Sequence, residues 1–222
     1  MSIYSFFSVP IGDYHMPAED AEPLNQELKK LFMEKEAMGS VHKNETYRAT
    51  QKGSVFESTF DIYNWDSPAI DAMSDFIKLS LKDFLERITT LSAEKIATME
   101  FNFHPWYHIT RYGGRQGIHN HSNASWSGIY CIDPGEFPEQ YPDSGKVYFH
   151  DPRVNANIYE DDGMAHLKEP FTHGVIPIQH EAGRLVFFPS YLLHEIFPYF
   201  GNRERIIAPF NCRVTLPENY PS

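Results

Sequence analysis

Apolar residues recur at helical spacing early in the chain and at strand spacing through most of the remainder. Between Pro23 and Met38, Leu24, Leu28, Leu31 and Phe32 share one helical face, with lysines and glutamates opposite. A longer amphipathic stretch runs from Ser67 to Leu91, where Ile70, Met73, Phe76, Ile77, Leu81, Phe84 and Ile88 recur every three or four residues. Ser67-Pro68 gives it an N-cap followed by proline in the first turn, where the missing N–H costs nothing. Both helices are expected to lie against a sheet.

From Thr98 the pattern changes to short β-prone runs separated by Gly, Pro, Asn and Asp. Strands are predicted at Glu100–Tyr112, Ile118–His121, Ser125–Ile132, Gly145–Phe149, Gly174–Ile178, Arg184–Phe188, His194–Phe197 and Glu204–Leu216. Gly and Pro interrupt the gaps, leaving no room for the helices that a parallel α/β fold needs. The pattern therefore predicts a mainly β fold with supporting N-terminal helices, built as a closed barrel or two-sheet jelly roll. One domain over residues 1–222 is expected, with 1–97 supplying helical support and N-terminal strands and 98–216 the jelly-roll core.

Composition narrows the function classes. Nineteen basic against thirty acidic residues give a formal net charge of -11, which opposes general nucleic-acid or anionic-membrane binding. Two cysteines, Cys131 and Cys212, exclude a disulfide scaffold or a cysteine-rich zinc module. The longest apolar stretch, Leu185 to Phe200, is broken by Pro189, His194, Glu195 and Pro198, so no membrane span is expected. The first twenty residues lack the basic flank and apolar core of a secretory signal, and a cytoplasmic setting is the expectation.

Chemistry concentrates in the histidines. A strand repeats its side-chain direction every second residue, so His119 and His121 in Gly117-Ile118-His119-Asn120-His121 should leave one face together. Neutral imidazole is a good donor to iron, copper, nickel or zinc, although two histidines alone also suit a hydrogen-bonded pair. His194 follows the turn–strand–turn Gly183 to Ser190 and supplies a late third ligand. Three ligands on one face leave positions open for an oxygen-donor cosubstrate and O2.

With those residues in place, the chain resembles the Fe(II)- and 2-oxoglutarate-dependent dioxygenases, in a poorly characterised branch from marine phages and bacteria. The ordered series is Trp106, Gly113, His119-Asn120-His121, Ser127-Gly128-Ile129-Tyr130, Ser144-Gly145, Asp151-Pro152, Gly183 to Ser190, His194, Arg205-Ile206 and Phe210-Asn211. The resemblance implies a double-stranded β-helix, the cupin-like jelly-roll barrel. It also implies Fe(II) held by His119, His121 and His194, with 2-oxoglutarate as cosubstrate and O2 as oxidant. Arg205, eleven residues after His194, stands near the place of the family's cosubstrate arginine. A planar guanidinium can grip a distal carboxylate through two hydrogen bonds, and strand parity puts Arg205 on one face with Ile207, Pro209 and Asn211. Tyr112 is similar to a tyrosine of prolyl hydroxylases that could lend its phenol to the same carboxylate; a packed core tyrosine is the alternative.

Two positions depart from the family pattern. His121 stands where most such enzymes carry Asp or Glu, leaving a trio of neutral imidazoles, and Cys131 replaces a tyrosine. Asp151 is an alternative carboxylate ligand, although Asp-Pro at a strand end reads first as a turn. His104 and His108 share a strand face, while His150, His166, His173 and His180 lie in loop-like surroundings and read as solvated or rim residues. The expected function is hydroxylation of a small-molecule, peptide or protein substrate, with a prolyl or other peptide residue as the candidate the resemblance implies, in a bacterium or phage-infected host cell. The competing readings are a three-histidine cupin-type dioxygenase without 2-oxoglutarate and a non-catalytic jelly-roll module with a structural metal. Oligomeric state is not legible.

Overall fold

The computed structural model describes residues 2–3, 5–156 and 158–217. It contains twelve strands in two antiparallel sheets and two long helices among the described residues. The larger sheet contains β1 (Gly12–His15), β3 (Val55–Glu57), β4 (Glu100–Pro105), β5 (His108–Thr110), β7 (Trp126–Asp133), β10 (Arg184–Pro189) and β12 (Arg205–Thr215). The smaller contains β2 (Gln51–Lys52), β6 (Arg115–His119), β8 (Val147–His150), β9 (Val175–Ile178) and β11 (His194–Ile196). Their spatial orders are β1-β10-β7-β12-β5-β3, with β4 also on β12, and β2-β6-β11-β8-β9.

The central strands of the larger sheet are covered on both sides, which is why they read as nearly continuous apolar runs. Ile129, Cys131, Val186, Phe188 and Ile207 point between the sheets, where they meet Val147, Phe149 and Ile196 of the smaller sheet. Their neighbours Tyr130, Leu185, Phe187, Ile206, Ala208 and Phe210 point the other way, under helices α1 (Ala18–Ala37) and α2 (Pro68–Ile88). Those helices contribute Leu28, Phe32, Ile70, Met73, Ile77, Leu81 and Phe84 to that second core. Burying one such side chain stabilises the fold by about 1.5–3 kcal/mol. The two layers of apolar contact hold the sheets in place around the site.

α2 begins where the sequence places it, with the Ser67 hydroxyl accepting from the Ile70 amide at 3.5 Å. α1 starts five residues before the predicted boundary and carries Pro23 as its sixth residue, where the ring removes the amide that would donate to the Glu19 carbonyl. The predicted strand Glu100–Tyr112 is divided into β4 and β5, and Trp106 donates its amide to Pro209 O at the break. His104 stands opposite Asn211 and His108 opposite Ile207, so the two share the face of the sheet that Ile207 and Asn211 carry, with His104 exposed and His108 buried. The expected closed barrel is also corrected. No ladder joins one sheet to the other among the described residues, and the jelly roll is an open two-sheet sandwich. β1, β2 and β3 extend its sheets from the N-terminal part of the chain.

Candidate metal centre

The ladder between β6 and β11 sets His119 directly opposite His194. His119 ends its strand and His194 begins the facing one, so both rings stand at the same end of the sandwich. His121 lies two residues beyond β6, outside the ladder, and strand parity alone does not position it. Its amide donates to Ser190 O at 2.9 Å, which pins the segment after β6 to the turn before β11. Ser190 in turn shares a hydroxyl hydrogen bond with Ser127 at 2.8 Å, and Ser127 bonds Asn211 Oδ1 at 2.8 Å.

The three rings converge. Ring centroids are 4.3 Å apart for His119 and His194, 5.1 Å for His121 and His194, and 5.2 Å for His119 and His121. One potential ligand atom from each lies within 4.8 Å of those of the other two. Two backbone carbonyls settle which nitrogens face inward. Gly117 O is 2.8 Å from His119 Nδ1 and Leu192 O is 3.0 Å from His194 Nδ1. A carbonyl can only accept, so each Nδ1 carries the proton and each Nε2 keeps a lone pair for the centre. His121 Nε2 lies 3.2 Å from His194 Nε2. Two nitrogens held about 2.1 Å from one ion at a right angle would be about 3 Å apart, so this donor set fits a mononuclear divalent metal.

Electrostatics favour the same state. Burial, followed by the neighbouring His119 charge, holds His121 down at about 3. Burial and the other two rings keep His194 well below the usual histidine range, and burial lowers His119 as well. The rings are therefore unprotonated at neutral pH and available as ligands. Phe188 packs edge-on against His194 at 4.7 Å, and the Trp106 ring lies over His121 at 5.8 Å.

The centre opens into a cavity of about 290 Å³. Besides the histidines, Arg48, Glu57, Phe60, Trp106 and His108 line it. Glu57 reaches it because β3 pairs with β5, placing Glu57 opposite His108, and Glu57 Oε2 is 2.9 Å from His108 Nε2. Burial alone would raise the Glu57 carboxyl, but hydrogen bonds from His108 and Asn44 and the charges of His108 and Arg48 outweigh it and hold it below the usual range. Sequence reasoning missed Glu57 and Arg48, because only long-range strand pairing brings residues of the first hundred to this wall. A larger cavity of about 580 Å³ lies between β9 and the segment preceding β1, but the histidine trio does not line it.

The remaining predicted residues fall into two groups. Arg205 points into the sandwich on the β12 face that also carries Ile207, Pro209 and Asn211, which line the metal cavity. It is 1% exposed, its Nη2 has no hydrogen-bond partner, and no ion pair among the described residues includes it. Tyr112 does not join this group. It is 59% exposed in the turn after β5, with its ring against Phe200 at 5.4 Å, because the chain turns outward at Gly113-Gly114. Asp151 is also elsewhere, chelated by Arg153 through its Nη2 at 2.7 Å. His150 pairs with Glu195 at 3.1 Å, and His166 is exposed. His180, expected at the rim, is instead fully interior at 1% exposure.

Residues 104–211 match the family model described as "Putative 2OG-Fe(II) oxygenase". No curated protein matches the chain. Among solved structures, a prolyl-4-hydroxylase from Pseudomonas putida is similar at 17% identity and a TM-score of 0.58, over 91% of each chain. A prolyl hydroxylase from Trichoplax adhaerens, solved with a hypoxia inducible factor peptide fragment, aligns at 12% identity and a TM-score of 0.60. That alignment covers 93% of this chain and 83% of the other. The epimerase SnoN, solved with Fe3+, alpha ketoglutarate and nogalamycin RO, aligns at 9% identity and a TM-score of 0.54, over 95% of this chain and 88% of its own.

The open jelly roll is the fold these structures share with the chain, and three inward imidazoles stand at one end of it. Over residues 104–211 the chain matches the 2OG-Fe(II) oxygenase family, and the three imidazoles lie within that core. That family works with Fe(II), 2-oxoglutarate and O2.

Proposed function

We propose that this protein is a non-haem iron dioxygenase coupling decarboxylation of 2-oxoglutarate to hydroxylation of an organic substrate. In the balanced reaction, substrate C–H, O2 and 2-oxoglutarate become C–OH, succinate and CO2. His119, His121 and His194 would hold Fe(II) through their inward nitrogens. When bound, the iron supplies the redox centre at which O2 is reduced and the 2-oxoacid is decarboxylated.

The observation that carries the cosubstrate assignment is Arg205, a buried cation with no acidic partner. Leaving a charge unpaired in a dry interior costs several kcal/mol, and a carboxylate guest relieves that cost with two parallel hydrogen bonds. The alternating inward positions of β12 lead from Asn211, Pro209 and Ile207 at the metal cavity to Arg205, the direction in which a dicarboxylate would extend. Trp106 and Phe188 pack against the metal-facing histidines and limit water around the reacting atoms.

The lack of a carboxylate among the histidines favours a second reading, a three-histidine dioxygenase whose substrate chelates the metal without 2-oxoglutarate. That reading leaves Arg205 without a role. For the organic substrate, a peptidyl or prolyl group is our reading; support comes from the two prolyl hydroxylases of similar fold and from the Phe60–Trp106 wall, where the rings meet edge to face at 5.2 Å. We read residues 1–222 as one functional unit, with 98–216 as the catalytic core. The acidic net charge of -11 supports a setting without nucleic acid, and no helix among the described residues is long and apolar enough to cross a membrane.

The test is thermal melting of the full chain with Mn(II) as an inert metal and a 2-oxoglutarate series. A saturating ligand at about 100 times its Kd adds about 2.7 kcal/mol, a clear rise in Tm. No stabilisation at millimolar 2-oxoglutarate would remove the cosubstrate assignment.

A further inference from the structure

Backbone carbonyls orient two of the three imidazoles, His119 and His194, but the third depends on side chains. His121 stands outside the β6–β11 ladder. Trp106 lies over its ring at 5.8 Å, and Phe188 meets it edge-on at 6.5 Å. Such apolar contacts set the plane of a ring, yet they do not distinguish its nitrogens from its carbons. A hydrogen bond to one nitrogen does, and it fixes which nitrogen is left for a metal.

A polar set on the neighbouring sheet face supplies that bond. The ladders place Ser127 of β7 opposite Phe188 of β10 and Asn211 of β12, so its side chain points between the sheets with Ile129 and Cys131. Ser127 and Ser190 are each 1% exposed. Ser127 Oγ lies 2.8 Å from Asn211 Oδ1 and 2.8 Å from Ser190 Oγ. An amide oxygen only accepts, and a serine has one hydroxyl proton. Ser127 therefore donates to Asn211, and Ser190 donates to Ser127. The Ser190 backbone is held as well: its amide donates to Ser125 O at 3.0 Å, and its carbonyl accepts from the His121 amide at 2.9 Å. At the far end of the series, Asn211 lines the metal cavity with His121, and its side chain accepts from the His121 ring. The bonds thus run from the His121 backbone through Ser190, Ser127 and Asn211 and return to the His121 ring.

Buried hydroxyls add little net stability over apolar side chains of similar shape, whereas a fully satisfied set fixes one arrangement. We propose that Ser127 is a positioning residue for the metal centre, acting through Ser190 and Asn211 to hold the His121 ring with its Nε2 turned toward that of His194. Ser127 itself is not among the residues that line the metal cavity. The proposal rests on the three-histidine metal reading above. It gives to side chains, at His121, the task that two backbone carbonyls perform at His119 and His194.

Anaerobic Co(II) titration of the full chain, followed by visible absorbance and paired with melting of the metal-free protein, tests this role. Ser127→Ala should weaken Co(II) binding about 10–100-fold, the loss that removal of a supporting partner brings, and should shift the visible bands as one imidazole leaves its place. Ser127→Thr keeps the hydroxyl and should recover wild-type affinity and bands. Ser190→Ala should lose less affinity than Ser127→Ala, because Ser127 still donates to Asn211. A Ser127→Ala protein with a lower Tm but wild-type Co(II) affinity and bands overturns the proposal, since the serine is then part of the packing alone. Equal weakening in Ser127→Ala and Ser127→Thr overturns it too. If Ser127→Ala does not fold, Ser190→Ala decides, and Co(II) binding unaltered in that variant overturns the proposal. Wild type that binds no Co(II) overturns the metal reading beneath it.

Discussion

His119 and His194 are registered partners across the β6–β11 ladder, with their rings 4.3 Å apart and their Nδ1 atoms on backbone carbonyls. The backbone itself thus selects the nitrogen each ring presents. This arrangement predicts that His119→Ala and His194→Ala lower divalent-metal affinity by more than the roughly 10–100-fold that loss of a supporting partner costs. The metal-free Tm should move little, because the apolar layers and not the imidazoles hold the sandwich. Anaerobic Co(II) titration followed by absorbance, with melting curves of the same samples, checks both halves.

Glu57 supplies a pH signature. Its carboxyl is held below the usual range in the folded protein, so in acid the unfolded chain binds the proton first and stability rises with pH. The Glu57 contribution is complete above the unfolded pKa of 4.5 and is lost as pH falls through the lower folded value. Glu57→Gln should flatten that part of the curve relative to wild type. Urea unfolding from pH 3 to 7 measures the difference.

Gly128 lies beneath Phe210, where an added Cβ would sit 2.3 Å from the ring Cζ. Gly128→Ala should therefore cost about 1–3 kcal/mol through overpacking. Urea unfolding monitored by circular dichroism reads this directly. Gly113→Ala tests a different mechanism, because no atom lies within 4 Å of its added Cβ and only its φ of +78° opposes the change.

Cys131 lies in the core between the sheets, and burial pushes its thiol up to about 12. The thiolate is the reactive form, so native protein should resist iodoacetamide at Cys131 at pH 8, whereas urea-unfolded protein should label at both cysteines. Mass spectrometry of the modified peptides distinguishes the two states.

The strands of the core and the long helix α2 were legible because their apolar periods are regular and their ends carry Gly, Pro or a capping serine. The meeting of His119 with His194 was also readable, as an ordered motif across distant strands. Other features depend on contacts that no local pattern encodes. His121 converges through a hydrogen bond to Ser190 instead of strand parity, and Glu57 arrives through the pairing of β3 with β5. Tyr112 was misplaced because a glycine pair turns the chain outward. His180 reads as a loop residue, and although it follows the end of β9 it is interior at 1% exposure.

Succinate release from 2-oxoglutarate tests the central claim most directly. With Fe(II) and O2, wild type should convert 2-oxoglutarate to succinate, and His194→Ala should release none while keeping its far-UV circular dichroism. Arg205→Lys should need about tenfold or more 2-oxoglutarate for half-maximal release, because an ammonium cannot reproduce the two-pronged contact. Succinate release undiminished by His194→Ala, or a wild type that forms none with Fe(II), would contradict the account.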